Sequence, residues 1–434
     1  MERAATVPAG SSQDSSLPPH YRVSGGVLGR GSDDPAGPLP PLSGVVIIET
    51  GESIAVAFCG RLLADLGATV VKVEPPGGDP LRAGDPLHVQ PPDAIPALHA
   101  MLNRDKLSVV LDLAEVSAKQ HFLRLGRSAA AVVGWCEPGV PQQLELLETL
   151  AADHTEVVVA ALSWMGTEGP WRDFACDELL AQHLSGMAFS TAVRVSDPAS
   201  EPPLAAPGSL AQMMGGLTAA TAVVVSLISR DATGQGDFID LSLVDALVSC
   251  LRQEVVTLTY GVGLMSRKRE AVSRFAGVFQ QPAGDGDVDY MIRTEAMWRS
   301  VLETVGAPEW GDLEAFATHP DRSLHWDAVE PLLRAELARY SRDYLFHEGQ
   351  RRGVAVAPMN TIAEATREPV FAERNFFRSG IVPGVGAATF PGGPFRLDQV
   401  PNAVGVVAEL GRDTESVLAW AERSTTGNSG RAAK

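Results

Sequence analysis

The side chains best placed for chemistry near the start of the chain follow a short apolar run. The run VVII at residues 45–48 predicts a buried strand, and ETGE at residues 49–52 reads as the loop behind it. A helix that begins after such a loop offers free backbone N–H groups to an anion. Glu52 would lie in the first turn of that helix and would supply the negative charge from the chain itself. Because GxGxxG is also missing after the strand, the sequence disfavours a nicotinamide dinucleotide here.

Sequence signatures of other common active sites are missing as well. The sequence contains no P-loop, no GxSxG and no HExxH. Its four cysteines, Cys59, Cys136, Cys176 and Cys250, lie far apart and form no CxxC pair. We therefore expect no metal site and no disulfide framework, and reduced thiols of a cytoplasmic protein.

The elements that would position these residues begin with a strand, a helix and a second strand. The helix repeats apolar residues at a four-residue spacing, namely Ile54, Phe58, Leu62 and Leu66. Gly67 stands where the end of a helix favours glycine, and residues 70–73 predict the second strand. This length is typical of a βαβ unit with a right-handed crossover.

Alternation of strand and helix patterns continues along the chain. Further strands are predicted at residues 107–113, 129–134, 157–162 and 238–241, and helices near 142–150, 178–188 and 210–229. This order indicates an open, mostly parallel sheet covered by helices on both faces. In the helix at 210–229, the small residues around Gly215 and Gly216 indicate close helix packing.

A second pattern begins near residue 276. Strands at 276–280 and 288–293 predict an antiparallel pair, and several helices follow. We predict a disordered extension at 1–43, a large domain from 44–260 and 354–423, a small α+β domain at 270–353 and a disordered tail at 424–434. No membrane span is expected, because the most apolar stretch, 217–228, is too short.

Length and charge restrict the possible partners. The chain has 434 residues, enough for two or three domains, and a formal net charge of -18 at pH 7. Nucleic-acid binding needs a basic face, so this acidic balance argues against it. An anionic small molecule could still bind through a few local Lys and Arg side chains.

A series of sequence blocks resembles the class III CoA-transferases over nearly the whole chain after residue 44. The blocks occur in that family's order: residues 62–82 (LLADLGATVVKVEPPGGDPLR), 103–113 (NRDKLSVVLDL), 137–140 (EPGV), 163–173 (SWMGTEGPWRD), 178–186 (ELLAQHLSG), 232–248 (ATGQGDFIDLSLVDALV) and 392–397 (GGPFRL). Together they are far more specific than any one of them. The resemblance implies a Rossmann-like α/β large domain, an inserted small α+β domain and an interlocked dimer.

The same resemblance implies an aspartate nucleophile and a covalent aspartyl-CoA intermediate. In the family this aspartate follows an SG-containing helix in a TGxxDGPP-like turn. Asp197 is the best match, 12 residues after Ser185, but Pro198 follows it and extra residues precede Pro202. Aligned from the Pro-Pro pair instead, the position holds Ser200. Asp197 is therefore the candidate nucleophile, and a simple turn residue is the alternative.

Residues that hold CoA in the family are only partly matched. Family ligand positions carry Pro75, Leu107, Gly134-Trp135-Cys136 and Gln143 in this chain. The remaining candidates for CoA phosphates are Lys106, Arg104, Lys72 and Arg82, with Lys106 the strongest because it lies in the matched NRDK block. Trp135 could stack on the adenine. Each of these residues could equally be a surface charge or a core residue.

The racemase branch of the family needs a paired His and Asp. Those positions hold Asp177 and Gln212 here, and a glutamine cannot transfer protons at neutral pH. Racemisation is therefore not expected.

Three functions remain open at this point. The first is a CoA-transferase that moves CoA from an acyl-CoA to a carboxylic acid, with CoA as substrate and no permanently bound cofactor. The second is a catalytically silent subunit of a heteromeric CoA-transferase, and the third is a non-catalytic acyl-CoA-binding protein. The expected assembly is a homodimer or a heterodimer with a family paralogue.

Overall fold

The chain is described from a computed structural model. The described residues are 21–24, 27–30, 39–84, 94–191, 194–195, 197–251, 254–261, 268–269, 278–393, 395–397 and 406–428. Disorder was predicted at 1–43 and 424–434, and residues 1–20, 25–26, 31–38 and 429–434 of these segments lie outside the described ones. In the rest, the structure instead has two short strands at 21–24 and 27–30 and, at 424–428, the end of the last helix.

The strands, in chain order, are β1 (Tyr21–Ser24), β2 (Val27–Arg30), β3 (Val46–Thr50), β4 (Thr69–Glu74), β5 (Lys106–Val110), β6 (Ala131–Trp135), β7 (Val158–Ser163), β8 (Arg194–Val195), β9 (Phe238–Ser242), β10 (Lys268–Arg269), β11 (Val278–Ala283), β12 (Gly286–Met291), β13 (Ala355–Pro358), β14 (Phe377–Val382) and β15 (Gly386–Pro391).

The helices are α1 (Ile54–Asp65), α2 (Ala97–Asn103), α3 (Val116–Ser128), α4 (Pro141–Asp153), α5 (Glu178–Leu184), α6 (Met187–Thr191), α7 (Leu210–Thr233), α8 (Leu243–Ser249), α9 (Glu254–Thr259), α10 (Glu295–Thr304), α11 (His319–Leu324), α12 (Trp326–Leu337), α13 (Arg342–Arg351), α14 (Ile362–Ala365), α15 (Pro369–Glu373) and α16 (Thr414–Asn428).

The chain divides into two compact units. Unit 1 comprises Met1–Cys176, Ala211–Ala246 and Arg378–Lys434, and unit 2 comprises Asp177–Leu210 and Leu247–Phe377. The chain thus returns to unit 1 at Arg378 and not near residue 354 as predicted, because β13 pairs antiparallel with β12 and completes the sheet of unit 2. Two segments predicted in the large domain, 177–210 and 247–260, also belong to unit 2.

Unit 1 is built on a six-stranded parallel sheet with the order β5-β4-β3-β6-β7-β9. Every residue of β4, β6 and β7 is buried, as in a sheet covered on both faces. One layer of the core joins the sheet to α3, α4 and α16 through large apolar side chains such as Phe122, Leu150 and Trp420. The prediction of a doubly covered parallel α/β sheet is confirmed.

The crossover helix α1 ends where the sequence indicates. Gly67 adopts φ +97°, its N–H donates to the carbonyl of Ala64, and the N–H of Ala68 donates to that of Leu63. This pair of bonds is a Schellman motif, which requires a left-handed residue just beyond the helix and so favours glycine.

Helix α7 packs closely on neighbouring elements of unit 1 through its small residues. A Cβ atom at Gly216 would lie 2.6 Å from the carbonyl oxygen of Ala55, and one at Gly215 would lie 2.6 Å from the Leu243 side chain. The close packing expected from the Gly-Gly step is confirmed. Among the described residues, Leu210–Thr233 alone is long and apolar enough to cross a membrane. This helix has 24 residues and is longer than the apolar stretch 217–228 on which the sequence analysis relied. Its length and composition do not by themselves indicate a membrane span, because core helices of other proteins share them.

Unit 2 holds a three-stranded antiparallel sheet, β11-β12-β13, and its own apolar core. That core includes Tyr290, Trp298, Trp326 and Leu345, which are all nearly inaccessible to solvent. The single helix predicted at 178–188 is instead two helices, α5 and α6, because Gly186 between them adopts φ +80°.

Candidate functional site

A crevice opens at the carboxyl edge of the parallel sheet in unit 1. The chain runs from β3 outward to β5 on one side and from β6 outward to β9 on the other. Loops leaving β3 and β6 therefore diverge and leave a gap between them, which is where open α/β sheets bind ligands.

The crevice is a cleft of about 310 Å³, lined by the ends of β3 to β6 and by α4. Its lining residues are Thr50, Gly51, Glu52, Val73, Glu74, Pro75, Leu111, Asp112, Leu113, Ala114, Trp135, Gln143, Leu146 and Leu147. Pro75, Trp135 and Gln143, which sequence analysis placed at family ligand positions, thus lie around one cleft. None of the described lining residues is a lysine or an arginine.

Trp135, the residue predicted to stack on the adenine of CoA, lines this cleft. Only 3 % of its surface is exposed, and its ring meets Trp164 edge-on at 5.5 Å. Its Nε1–H donates to Glu137 at 2.6 Å, and the Glu137 backbone N–H donates to Gln143 at 2.8 Å. The indole is therefore held rigidly, and stacking on an adenine remains a prediction.

Lys106 and Lys72 lie inside unit 1, on either side of the buried carboxylate of Glu49. Lys106 Nζ donates to both Glu49 oxygens at 2.8 Å and to the Ala57 carbonyl at 2.7 Å. Lys72 Nζ lies 3.3 Å from Glu49 and 2.6 Å from Asp79. Burial, together with Lys72, lowers the pKa of Lys106 to about 8 against the attraction of Glu49.

Burial acts on Lys72 in the same way, but its two carboxylate neighbours outweigh it. The pKa of Lys72 is raised above its usual value because Glu49 and Asp79 favour the charged form. Glu49, expected in a loop, belongs to β3 and is fully buried. Contact of either lysine with CoA remains a prediction.

Arg104 and Arg82 also have carboxylate partners in the chain. Arg104 is 3 % exposed and donates to Asp65 at 3.0 Å and to Asp105. Arg82 donates two hydrogen bonds to the Glu74 carboxylate, at 2.6 and 2.8 Å. Burial alone would raise the pKa of Glu74, but the bonds from Arg82 and Ser108 lower it to about 2. CoA contact by these two arginines likewise stays a prediction.

The amino end of α1, beside the cleft, is capped by side chains of the same chain. Ser53 Oγ accepts from the Ala55 N–H at 3.1 Å, and Gln212 Oε1 accepts from the Ile54 N–H at 3.1 Å. Gln212 comes from α7 and stands where the racemase branch carries its catalytic Asp. The other racemase position, Asp177, caps α5 by accepting from the Leu180 N–H at 2.8 Å. Both side chains thus have structural partners.

Asp197 lies in unit 2, two residues after β8. Pairing of β8 with β10 in parallel register fixes the chain just before it. Its carboxylate is half-buried and accepts from the Ala199 N–H at 3.2 Å and from Ser200 Oγ at 2.8 Å. The two positions that alternative alignments offer for the nucleophile, Asp197 and Ser200, therefore share a hydrogen bond.

Comparison with known proteins decides the family. The family model described as CoA-transferase family III matches residues 42–414. The chain belongs to CoA-transferase family III. It is 27 % identical over 335 residues to a succinate–glutarate CoA-transferase of Agrobacterium fabrum, covering 76 % of this chain and 82 % of that protein. It is 26 % identical over 385 residues to the alpha subunit of a succinyl-CoA–L-malate CoA-transferase of Chloroflexus aurantiacus, covering 87 % and 88 %.

A solved structure of a CAIB/BAIF family protein from Brucella suis shares the fold. Its TM-score is 0.78 at 24 % identity, over 88 % of this chain and 100 % of that one. The family resemblance, the α/β fold and the assignment to the transferases are thereby confirmed.

The sequence analysis did not identify several polar residues of unit 1 that the structure shows to be buried. His99 is fully buried with Nδ1 3.1 Å from the Asn103 amide, and burial lowers its pKa to about 3. Arg61 is 3 % exposed and binds Asp65 at 2.9 Å. The one sequence signal that could have identified them is a polar residue on the side of a helix that is otherwise apolar and buried. No group of three or more His, Cys, Asp or Glu able to hold a metal occurs in the part of the chain that the structure describes.

Proposed function

We propose that this chain transfers CoA from an acyl-CoA to a carboxylic acid, with Asp197 as nucleophile. The observation that carries the proposal is the Asp197 carboxylate itself, which a turn orients through one backbone and one hydroxyl donor. The names of the relatives, which include succinate, glutarate and L-malate, support a carboxylic acid as acceptor.

The proposed reaction balances without any further reagent. An Asp197 oxygen attacks the thioester carbonyl, the C–S bond breaks, and a mixed anhydride and CoA thiolate form. The thiolate then attacks the aspartyl carbonyl, which releases the donor acid and leaves an aspartyl-CoA thioester. The acceptor carboxylate reverses the two steps and departs as its own CoA thioester.

Trapping the covalent intermediate tests this proposal. Incubation with an acyl-CoA, acid quench and peptide mass spectrometry should place CoA, less one water, on the peptide that contains Asp197. Asp197→Ala should lose the adduct and the transfer activity. Asp231→Ala, which removes an exposed carboxylate from α7, is the matched control and should keep both. An adduct on Ser200, or unchanged transfer by Asp197→Ala, would show the mechanism to be wrong.

A second candidate function is a catalytically silent subunit. It is favoured by the pairing of Lys72, Arg82, Arg104 and Lys106 with carboxylates of the chain itself. One relative is named as an alpha subunit, which supports a heteromeric assembly. This candidate predicts no transfer by the purified chain and transfer once a second family III chain is added. A non-catalytic acyl-CoA-binding protein would bind CoA without turnover in both samples.

We also propose a cytoplasmic dimer, made of two copies or of this chain and a paralogue. Light scattering on the purified chain distinguishes these states, since the monomer has a mass of 45.8 kDa.

A further inference from the structure

The hydroxyl of Ser200 lies beside the carboxylate that we propose as nucleophile. Ser200 Oγ donates to Asp197 Oδ2 at 2.8 Å, while the Ala199 N–H donates to Asp197 Oδ1 at 3.2 Å. A second acceptor near the hydroxyl, the Asp197 backbone carbonyl, lies 3.5 Å away. Because hydrogen bonds between a hydroxyl and an oxygen are best at about 2.7–2.8 Å, the hydroxyl donates to the carboxylate.

The turn that carries these two side chains is fixed by hydrogen bonds in which the Ser200 hydroxyl takes no part. The N–H groups of Ser200 and Glu201 donate to the Asp197 carbonyl at 3.2 and 3.0 Å. The Asp197 N–H in turn donates to Glu201 Oε1 at 3.2 Å. The chain therefore holds the hydroxyl over one carboxylate oxygen, and removing the hydroxyl should leave the turn in place.

The charge on the two Asp197 oxygens changes during the proposed transfer. In the resting carboxylate the two oxygens share one negative charge. When the CoA thiolate attacks Cγ of the mixed anhydride, an electron pair of the C=O bond moves onto the oxygen that does not bridge to the acyl group. That oxygen then carries the whole charge until the bond from Cγ to the donor acid breaks. A donor at this oxygen binds the transition state more strongly than the resting carboxylate, which is the condition for catalysis.

We propose that Ser200 is a catalytic residue whose hydroxyl stabilises the oxyanion that forms on Asp197 Oδ2. Oδ1, which has the longer hydrogen bond, attacks the thioester and becomes the bridging oxygen of the anhydride. The same oxyanion forms again when the acceptor carboxylate attacks the aspartyl-CoA thioester. The hydroxyl keeps its proton throughout, so the step needs no further reagent. This inference rests on the proposed transferase function and adds a second residue to it.

A single turnover with succinyl-CoA, the donor in the name of one relative, tests the inference. After rapid acid quench, peptide mass spectrometry distinguishes the succinyl group of the anhydride from the CoA of the thioester on the Asp197 peptide. Ser200→Ala should form the CoA adduct about tenfold more slowly and should accumulate the succinyl species. The expected loss is smaller than for a buried oxyanion donor, because Ser200 is exposed and water can replace part of the hydrogen bond. Ser200→Thr, which keeps the hydroxyl, should restore the rate to within about threefold.

Ser117→Ala, on the exposed side of α3, is the matched control and should form the adduct at the wild-type rate. A hydroxyl that only orients Asp197 would slow the attack on the thioester, so both adducts would decrease together. That pattern, or a Ser200→Ala rate equal to the wild-type rate, would overturn this inference and leave the transferase proposal standing. No adduct on Asp197 in wild type, or an adduct on Ser200, would instead overturn the proposed mechanism and this inference together.

Discussion

Replacing Lys106 with Met would show whether this lysine supports the fold or holds a ligand. The substitution keeps most of the side-chain volume but removes the ammonium, whose N–H groups are shared among both Glu49 oxygens, the Ala57 carbonyl and Asn103 Oδ1. Glu49 is fully buried, so water cannot take their place, and Lys72 at 3.3 Å would be its remaining cation. Breaking a buried pair by removing one partner costs about 3–5 kcal/mol, and because Lys72 remains we expect about 3 kcal/mol.

Urea unfolding followed by far-UV circular dichroism and tryptophan fluorescence measures this loss. The two units of the chain can unfold separately, so each transition is fitted on its own. Arg339→Met is the control, since its 2.7 Å bond to Glu336 joins a side chain that is 67 % exposed, and its loss should stay below about 0.5 kcal/mol. Adding Glu49→Leu to Lys106→Met should recover part of the stability, because it removes the unpaired charge.

Two results would refute the reasoning. One is a loss below about 1 kcal/mol for Lys106→Met, which would mean that the buried pair contributes little. The other is a variant of full stability with a large loss of CoA affinity. That result would place the ammonium on the ligand, as the family resemblance predicts.

Two further predictions concern packing and acid stability. Gly216→Ala should destabilise the chain by about 1–3 kcal/mol, because the new Cβ would lie 2.6 Å from the Ala55 carbonyl oxygen. Gly77→Ala is the control: a Cβ there meets open space, so the unfolding free energy should change by less than about 0.5 kcal/mol. A Gly216→Ala variant that is more stable than wild type in urea unfolding would contradict this prediction. Burial lowers the pKa of His99 from 6.5 to about 3, so the unfolded chain takes up a proton that the folded chain refuses, and stability falls as the pH falls below 6.5. From pH 6.5 to 5 this amounts to about 2 kcal/mol, which His99→Gln should not lose; equal pH slopes of the two unfolding free energies would argue against it.

Much of the fold could be predicted from local sequence patterns. Gly67 marks the end of α1 because a Schellman motif depends on one residue and its nearest neighbours. The parallel sheet follows from the alternation of apolar strands and helices, which repeats over most of unit 1. Strand β13 shows the limit of such patterns. A short apolar strand fits either sheet, and only its pairing with β12 assigns it to unit 2.

The candidate site was harder to predict because its charged side chains bind partners that are distant in sequence. Lys106 meets Glu49 across 57 positions of sequence, and Arg82 meets the Ala408 carbonyl across 326. Such partners leave no mark in a window of neighbouring residues. A motif such as NRDK therefore predicts where a lysine stands along the chain but not whether its ammonium faces a ligand or a buried carboxylate.

Gln212 shows how the amino end of the first crossover helix is capped by a side chain that is distant in sequence. In a parallel α/β sheet the first crossover helix points its amino end into the crevice, and free N–H groups there attract phosphate. A carboxylate at position 212 would be repelled by Glu52 but attracted by the helix end, whereas the neutral amide oxygen accepts the Ile54 N–H without adding charge. The capped helix retains its place beside the sheet, and Glu52 lies next to it at the cleft, where burial and Asp79 raise the pKa of its carboxyl and Lys72 acts against them.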